Sequence, residues 1–353
     1  MTAPPPGRWR VRAIGLALVV VTLTIALAAQ RDVGIARDET VYMGAGDGYA
    51  RWWIDLVGGK RGATSRAGIT AAFGGPGATD HNREHPPLMK TLFGLSHRLL
   101  HDRLGVAGHV TAYRAPTALM HALLVLIVFA WVAAAWGLAE AVIAALLTLC
   151  LPRALFHAGL ACFDGPIATL WLATLYCYWR SLARWWWAIV AGVVWGLALA
   201  TKHNALLIPF AIAPHFAWVV ARQAYPRTPA GAARWLRALA RGLVGRWYVP
   251  LALIAIGPLT LIAVWPWLWF DTVAHVRAWL QFHLHHVHYN FEYLGENLNH
   301  PPFPWHVAIV TTLVTVPAGT LAAARSLPGL GGEAHQPVGR AQPDRAGGEG
   351  DGA

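Results

Sequence analysis

The sequence predicts an all-α polytopic membrane protein with about eight transmembrane helices and an outer loop bearing interfacial amphipathic helices. Of its 353 residues, 56% are hydrophobic and only 13% are charged, whereas soluble domains carry about 25% charged residues. The apolar residues are gathered in long runs, which is typical of membrane spans. This composition excludes a soluble enzyme, a disordered chain and a fibrous repeat.

The net charge of +11 is attributed to arginine-rich loops. No basic soluble module is evident, so nucleic acid is not an expected partner. Membrane lipid is the expected partner. The three cysteines, Cys150, Cys162 and Cys177, are odd in number and lie in or beside apolar runs. We interpret them as small packing residues and not as a disulfide or metal framework.

The first predicted span, residues 13–29, follows a basic start and is interpreted as a signal anchor rather than a cleaved signal peptide. The other spans are predicted at residues 114–136, 138–152, 165–180, 185–201, 204–220, 248–270 and 306–323. These spans belong to one transmembrane domain, residues 1–325. The segment 326–353 is rich in Gly, Pro and charge and predicts a disordered polar tail.

The orientation follows from the positive charges. The short loop 180–184 and the loop 221–247 are arginine-rich and contain no acidic residue, so the positive-inside rule places both in the cytoplasm. With eight spans, both termini are cytoplasmic. The loops 30–113 and 271–305 then lie outside, so we expect a multi-pass protein of the cell (inner) membrane with its active face outside.

The first outer loop contains two amphipathic segments that predict interfacial helices. One carries Tyr49, Trp52, Trp53 and Leu56 at helical spacing, and the other carries leucines from Leu88 onward at spacings of four, three and four. The glycine-rich connector 58–80 between them predicts a flexible loop.

Acidic residues flank these two segments. Asp38 and Glu39 follow the first span, and Asp38 fits either a helix N-cap or a general base that faces a lipid-borne substrate. Glu84 and His85 precede Pro86-Pro87 and fit either a solvated loop or part of the same site.

Three further polar groups are predicted at the outer membrane boundary. Asp164 follows Arg153 and His157, and it is either the partner of Arg153 in an ion pair or a functional carboxylate. Lys202 is either a snorkelling lysine or a ligand of a lipid phosphate. The histidines of the outer loop invite a metal interpretation, but a wet polar loop is favoured because no thiolate or clean H-x-x-x-H pattern accompanies them; they are His283, His285, His286 and His288.

At these residues the chain resembles a known family. Asp38-Glu39, then HPPLMK, FDGPIATLWLATLY and GLALATKHNALLIP are similar to the protein mannosyltransferase-like branch of the GT-C membrane glycosyltransferases. This branch comprises glycosyltransferase family 39 and bacterial relatives such as the aminoarabinose transferases. The resemblance covers about residues 10–320.

The resemblance implies a polyprenyl-phosphate-linked sugar donor and a protein or glycolipid acceptor. It implies that Asp38, with Glu39 beside it, supplies the catalytic base, and that the stretch containing His85 and Lys90 faces the lipid donor. Asp164 matches the acid of the second outer loop, and Lys202 lies where some relatives bind the donor phosphate. Together with Glu84 and Arg153, these residues are the predicted donor- or acceptor-binding set.

A divalent metal is possible but not required by this scheme, and no metal ligands are assigned. Relatives usually continue through further spans, so this chain is either a shortened member or a truncated reading frame. The alternatives are a non-enzymatic transporter or flippase of a lipid-linked sugar, and an inactive truncated scaffold.

Overall fold

The computed structural model describes residues 7–74, 85–224, 232–285 and 290–316. The chain forms two compact units, Met1–His285 and His286–Ala353. Glu84, His286, His288 and the predicted tail 326–353 lie outside the described residues.

The first unit is built from helices throughout its described part. In chain order they are α1 Arg8–Ala29, α2 Arg37–Val57, α3 Arg66–Phe73, α4 Leu88–His97, α5 His109–Ala135, α6 Leu138–Leu149, α7 Pro152–Ala158, α8 Asp164–Ser181, α9 Trp186–Leu199, α10 Ile208–Ala224, α11 Ala232–Val244, α12 Tyr248–Leu251, α13 Gly257–Val264 and α14 Thr272–Leu284. Two π-helical segments, Arg98–Arg103 and Ala252–Ile256, and two 3₁₀ segments, His203–Leu207 and Pro266–Trp269, complete the unit.

Among the described residues, three helical segments are long and apolar enough to cross a membrane: Trp9–Ala29, His109–Ala135 and His203–Arg222. Two bent helix pairs, Leu138–Leu149 with Pro152–Ala158 and Ala233–Val244 with Tyr248–Val264, raise the number to at most five. The structure therefore confirms the helical class and shows three to five candidate membrane spans in the part of the chain that it describes, but the predicted count of eight spans is not confirmed. Some predicted runs are short: α9 spans only Trp186–Leu199, less than the ~20 residues of a straight span.

The short connections make neighbouring helices antiparallel. Residues 182–185 alone separate α8 from α9, and α5 is followed almost immediately by α6. As a result the start of α8, the end of α9 and the loop after α1 meet at one end of the helices. The backbone N–H of Leu88 donates to the carbonyl of Ala200 there, at 3.0 Å, so α4 is attached to the same end.

Both predicted interfacial helices are present, as α2 and α4. They cross closely at Gly46 and Gly94: a Cβ at Gly46 would lie 2.6 Å from the Lys90 carbonyl oxygen, so only glycine fits. Tyr42, Met43, Met89 and Phe93 form a core between them that extends to α5 and residues 161–163.

The connector 58–80 differs from the prediction because it contains a helix, α3. Ser65 caps this helix by accepting a hydrogen bond from the Gly68 N–H at 3.1 Å. Ile69 and Phe73 are buried against Tyr49 and Trp52 of α2. Apolar burial orders the segment despite its many glycines, and nothing is described beyond residue 74 in this connector.

The second unit is described over residues 290–316. Strands β1 Phe291–Tyr293 and β2 Glu296–Leu298 form an antiparallel hairpin in which Phe291 pairs with Leu298. Leu294 and Gly295 both have positive φ, as a tight two-residue hairpin turn requires. A helix, α15 Val307–Thr315, follows, so only the first half of the predicted span 306–323 is described.

Candidate active site

A buried ion pair ties the start of α2 to the rest of the first unit. The Arg114 guanidinium donates to both carboxylate oxygens of Glu39, from Nε to Oε1 at 2.8 Å and from Nη2 to Oε2 at 2.7 Å. The Glu39 and Arg114 side chains are only 1% and 2% exposed. Such bidentate pairs are the most directional ion pairs that proteins make.

Backbone groups complete the coordination of this pair. Glu39 also accepts from the N–H groups of Ala161, at 2.6 Å, and Ala36, at 2.8 Å. Arg114 donates to the carbonyls of Val33, at 3.0 Å, and Gly34, at 2.7 Å. Each carboxylate oxygen thus receives one bond from Arg114 and one from a backbone N–H, which fills its lone pairs.

The electrostatics of Glu39 follow from these contacts. Burial by itself raises the pKa of a carboxyl group. The hydrogen bonds from Arg114, Ala161 and Ala36 outweigh burial and hold the pKa of Glu39 below its usual 4.5. Glu39 is therefore an ionised and fully engaged carboxylate, which suits it to position its neighbours more than to accept a proton.

Asp38 has the opposite environment. It is exposed at the second position of α2, whose N-cap is Ala36. The N-cap interpretation of Asp38 was therefore wrong, because the helix starts at Arg37, two residues earlier than that role needs. No ion pair or hydrogen bond to Asp38 occurs within the described ranges, so its carboxylate is available to solvent and to a ligand.

The second group of polar side chains gathers at the start of α8. Lys202 Nζ lies 2.6 Å from Asp164 Oδ1, and His157 Nδ1 lies 4.0 Å from Asp164 Oδ2. Cys162 Sγ lies 3.8 Å from His157 Nδ1, and burial raises the pKa of that thiol to about 11, so it stays protonated at neutral pH.

The alternative pairing of Asp164 with Arg153 was wrong. Arg153 is exposed on α7, and the cation that contacts Asp164 in the described part of the chain is Lys202. Lys202 itself is only 26% exposed, so it is held against Asp164 and is not simply extended toward solvent.

A third group combines imidazoles with a buried lysine. The His203 and His283 rings stack at 3.8 Å between centroids, and His85 lies 6.1 Å from His283. Lys90 is fully buried, and its Nζ lies 5.4 Å from the centre of the Tyr49 ring. These groups concentrate positive charge and hydrogen-bond donors at one end of the helices.

His85 is neutral within this third group. Burial lowers its pKa to about 3, and the neighbouring charges of Lys90, His283, Lys202 and His203 act in the same direction. Its Nδ1 atom is buried without a hydrogen-bond partner in the described structure. Buried polar atoms normally have a hydrogen-bond partner. An Nδ1 atom without one in the protein is therefore a candidate to bind a ligand.

Aromatic rings connect the three groups. Tyr42 lies four residues after Asp38 and hence on the same face of α2. Its ring is 4.2 Å from that of Phe163, the residue before Asp164, and 6.4 Å from that of His85. Asp164 and His85 thus lie beside one aromatic cluster, and Asp38 is one helical turn before Tyr42, whereas Arg153 is exposed.

Arg114 is the main residue that the sequence interpretation missed. It is a lone arginine at the edge of the predicted span 114–136. An ionisable residue at such a position marks a partner or a site by default, and that signal could have directed attention to a buried carboxylate. The backbone N–H of Ala161, in contrast, has no sequence signal.

The fold and this site define a helical protein with candidate membrane spans and a cluster of charged and imidazole side chains at one end of its helices. Residues 84–239 match the family model for dolichyl-phosphate-mannose-protein mannosyltransferases, a glycosyltransferase family of the GT-C type. Within these residues, which are less than half of the chain, the match confirms the family resemblance and supports a membrane transferase. It includes His85, Lys90, Arg114, Asp164 and Lys202, but it begins after Asp38 and Glu39. No curated protein and no solved structure matches the chain.

Proposed function

We propose that the protein is a glycosyltransferase that moves a sugar from a polyprenyl-phosphate donor to an acceptor hydroxyl at the outer face of the cell membrane. The observation that carries the proposal is the cluster of Lys90, Lys202 and His85 at one end of the helices, within the segment matched by the family model. Cations and N–H donors at a membrane boundary suit a lipid-linked phosphate.

The proposed reaction is a single inverting displacement. Asp38 removes the proton of the acceptor hydroxyl as its oxygen bonds to the anomeric carbon of the sugar. The bond from that carbon to the phosphate oxygen breaks, and the electron pair leaves with the polyprenyl phosphate. Lys202, Lys90 and neighbouring donors stabilise the departing charge, so no strong general acid is needed. Glu39 acts as a positioning residue because its oxygens are fully hydrogen-bonded.

The donor role of Lys202 gives a direct test. We expect Lys202→Ala to raise the KM for the polyprenyl-phosphate sugar ~10–100-fold, as loss of a charged hydrogen bond predicts, and to lower kcat less. Lys202→Arg should keep most of the donor affinity. The measurement is a steady-state titration of donor with purified protein in detergent.

The matched control is Lys60→Ala, because Lys60 also forms an ion pair with an aspartate, Asp55, at 2.8 Å. This variant should leave the KM unchanged. Asp164→Asn separates the two roles of Lys202, since it removes the ion pair but keeps the ammonium. A donor KM that rises in Asp164→Asn and stays normal in Lys202→Ala would refute phosphate binding by Lys202.

Orientation is supported by the distribution of arginines along α8. Asp164 begins this helix, and Arg180 lies near its other end, about 24 Å away at 1.5 Å per residue. Arg184 and the arginines of α11 follow on the connections at that opposite end. The positive-inside rule then predicts that the site faces outward. With the eight spans that the sequence predicts, both termini would be cytoplasmic.

We expect cysteine labelling to report this orientation. In a background with Cys150, Cys162 and Cys177 replaced, a membrane-impermeant maleimide should label Ala67→Cys in intact cells, and label Arg234→Cys only after permeabilisation. Both positions are exposed, so poor access does not explain a negative result. The reverse labelling pattern would place the site on the cytoplasmic face.

A further inference from the structure

Three imidazoles meet at the junction between α4 and α5, away from the residues assigned to the transfer reaction. His97 ends α4, His101 lies one turn later in the π-helix Arg98–Arg103, and His109 begins α5. His97 Nε2 and His109 Nδ1 are 2.9 Å apart. One ring nitrogen of each histidine lies within 4.8 Å of the others, which brings three possible ligand atoms to one point.

The surrounding contacts leave ring nitrogens free to act as ligands. His101 Nδ1 lies 3.0 Å from the carbonyl of Ala107. A carbonyl only accepts, so Nδ1 carries the proton and the Nε2 lone pair of His101 is open. A hydrogen bond from the other ring nitrogen to a carbonyl typically orients an imidazole that binds a metal.

A carboxylate occupies the corresponding position behind His97. His97 Nδ1 lies 3.8 Å from Asp102 Oδ1, and it is buried without a hydrogen-bond partner in the described structure. The ring stacks on Tyr113 at 4.2 Å, and the Tyr113 hydroxyl donates to Asp47 at 2.9 Å. These contacts hold the ring with Nε2 directed toward His109 and Nδ1 directed toward Asp102.

We propose that His97, His101 and His109 bind a divalent transition-metal ion, zinc foremost, with water in the fourth position. Three imidazoles favour zinc over calcium or magnesium, which prefer oxygen ligands. Zinc–nitrogen bonds of about 2.0–2.1 Å in tetrahedral geometry put ligand nitrogens about 3.3 Å apart. The His97 and His109 nitrogens reach that separation by moving a few tenths of an ångström. His109 is exposed, which provides a path of entry.

Bound metal would join the end of α4 to the start of α5 across the connection 104–108. Its ligands come from both sides of that connection, so the ion restrains the first part of the transmembrane helix α5. The inference does not depend on the proposed glycosyl transfer, because the ligands are separate from Asp38, Asp164 and Lys202.

The test measures metal content and thermal stability of the purified full-length protein. After treatment with chelator and dialysis against zinc, we expect about one zinc per chain and a higher Tm than in the metal-free protein. The double variant His101→Ala/His109→Ala should lose both the zinc and the Tm increase. A control replaces the outer-loop histidines with alanine and should keep both; its positions are His283, His285, His286 and His288.

Zinc that is retained by the double variant and lost in the outer-loop control would overturn the proposal, as would wild-type protein that retains none. If the double variant does not fold, the exposed position His109 provides a milder pair. His109→Cys should retain zinc because a thiolate is also a zinc ligand, and His109→Ala should lose it. Equal zinc content in these two variants would contradict a role for His109.

Discussion

Replacement of Asp38 by asparagine is expected to reduce turnover ~10²–10⁴-fold, the usual contribution of a positioned general base, while leaving expression and folding intact. Asp38 is exposed and makes no ion pair or hydrogen bond among the residues that the structure describes. The substitution therefore removes the basic carboxylate and, apart from a small interaction with the helix dipole, no other contact among those residues. The measurement is single-turnover transfer from a polyprenyl-phosphate sugar by purified protein.

Asp32→Asn is the matched control, since Asp32 is another exposed carboxylate, in the turn that precedes α2. It should transfer sugar at the wild-type rate. If Asp38→Asn also retains near-wild-type transfer, the base assignment fails, and Glu84 becomes the next candidate because the Glu39 oxygens are already occupied.

The largest effect on stability is expected from Glu39→Gln. This change leaves the buried Arg114 guanidinium without its counter-charge, and breaking one side of a buried pair typically costs ~3–5 kcal/mol of the free energy of unfolding. A marked fall in Tm in detergent, relative to wild type, should report that cost. Asp38→Asn, one residue away, serves as the control and should unfold near the wild-type temperature.

A second substitution identifies the origin of the loss. Arg114→Met in the Glu39→Gln background removes the unpaired charge, so it should recover part of the stability. The recovery should be incomplete because the carbonyls of Val33 and Gly34 lose their donor, and the single amide oxygen of glutamine can accept from only one of the N–H groups of Ala161 and Ala36. Wild-type stability in Glu39→Gln alone would show that the ion pair contributes nothing.

The helical class, the two interfacial helices and most of the apolar helices could be predicted from hydropathy and periodicity. Both signals come from residues that are close in sequence, so they can be read without knowledge of the fold. The number of spans could not be predicted in the same way, because composition does not show where a helix bends. The helices Leu138–Leu149 and Pro152–Ala158, for example, meet at an angle of 65°. The helix in the connector 58–80 was missed because glycine content outweighed the burial of Ile69 and Phe73.

The candidate site was predictable as a set of residue types but not as a set of partners. Asp164 and Lys202 were both selected from the sequence, yet their ion pair joins residues 38 positions apart and has no local signature. Asp38 and Glu39 are adjacent in sequence and similar in chemistry. The two side chains differ in the side of α2 from which they project. The Glu39 side chain is directed to Arg114 and is buried, whereas the Asp38 side chain is exposed.

The Glu39–Arg114 pair also bears on the order in which the protein is assembled. The hydrogen bonds to Glu39 can form only after their partners have been synthesised. Arg114 lies 75 residues later in the chain, and the N–H of Ala161 lies 122 residues later. At typical synthesis rates of about 5–20 residues per second, the last of these partners leaves the ribosome roughly 6–24 s after Glu39 does. The hydrogen bonds that hold Glu39, the neighbour of Asp38, are therefore complete only after the residues that follow α7 have been made, so the final conformation of this segment is a late step of biogenesis.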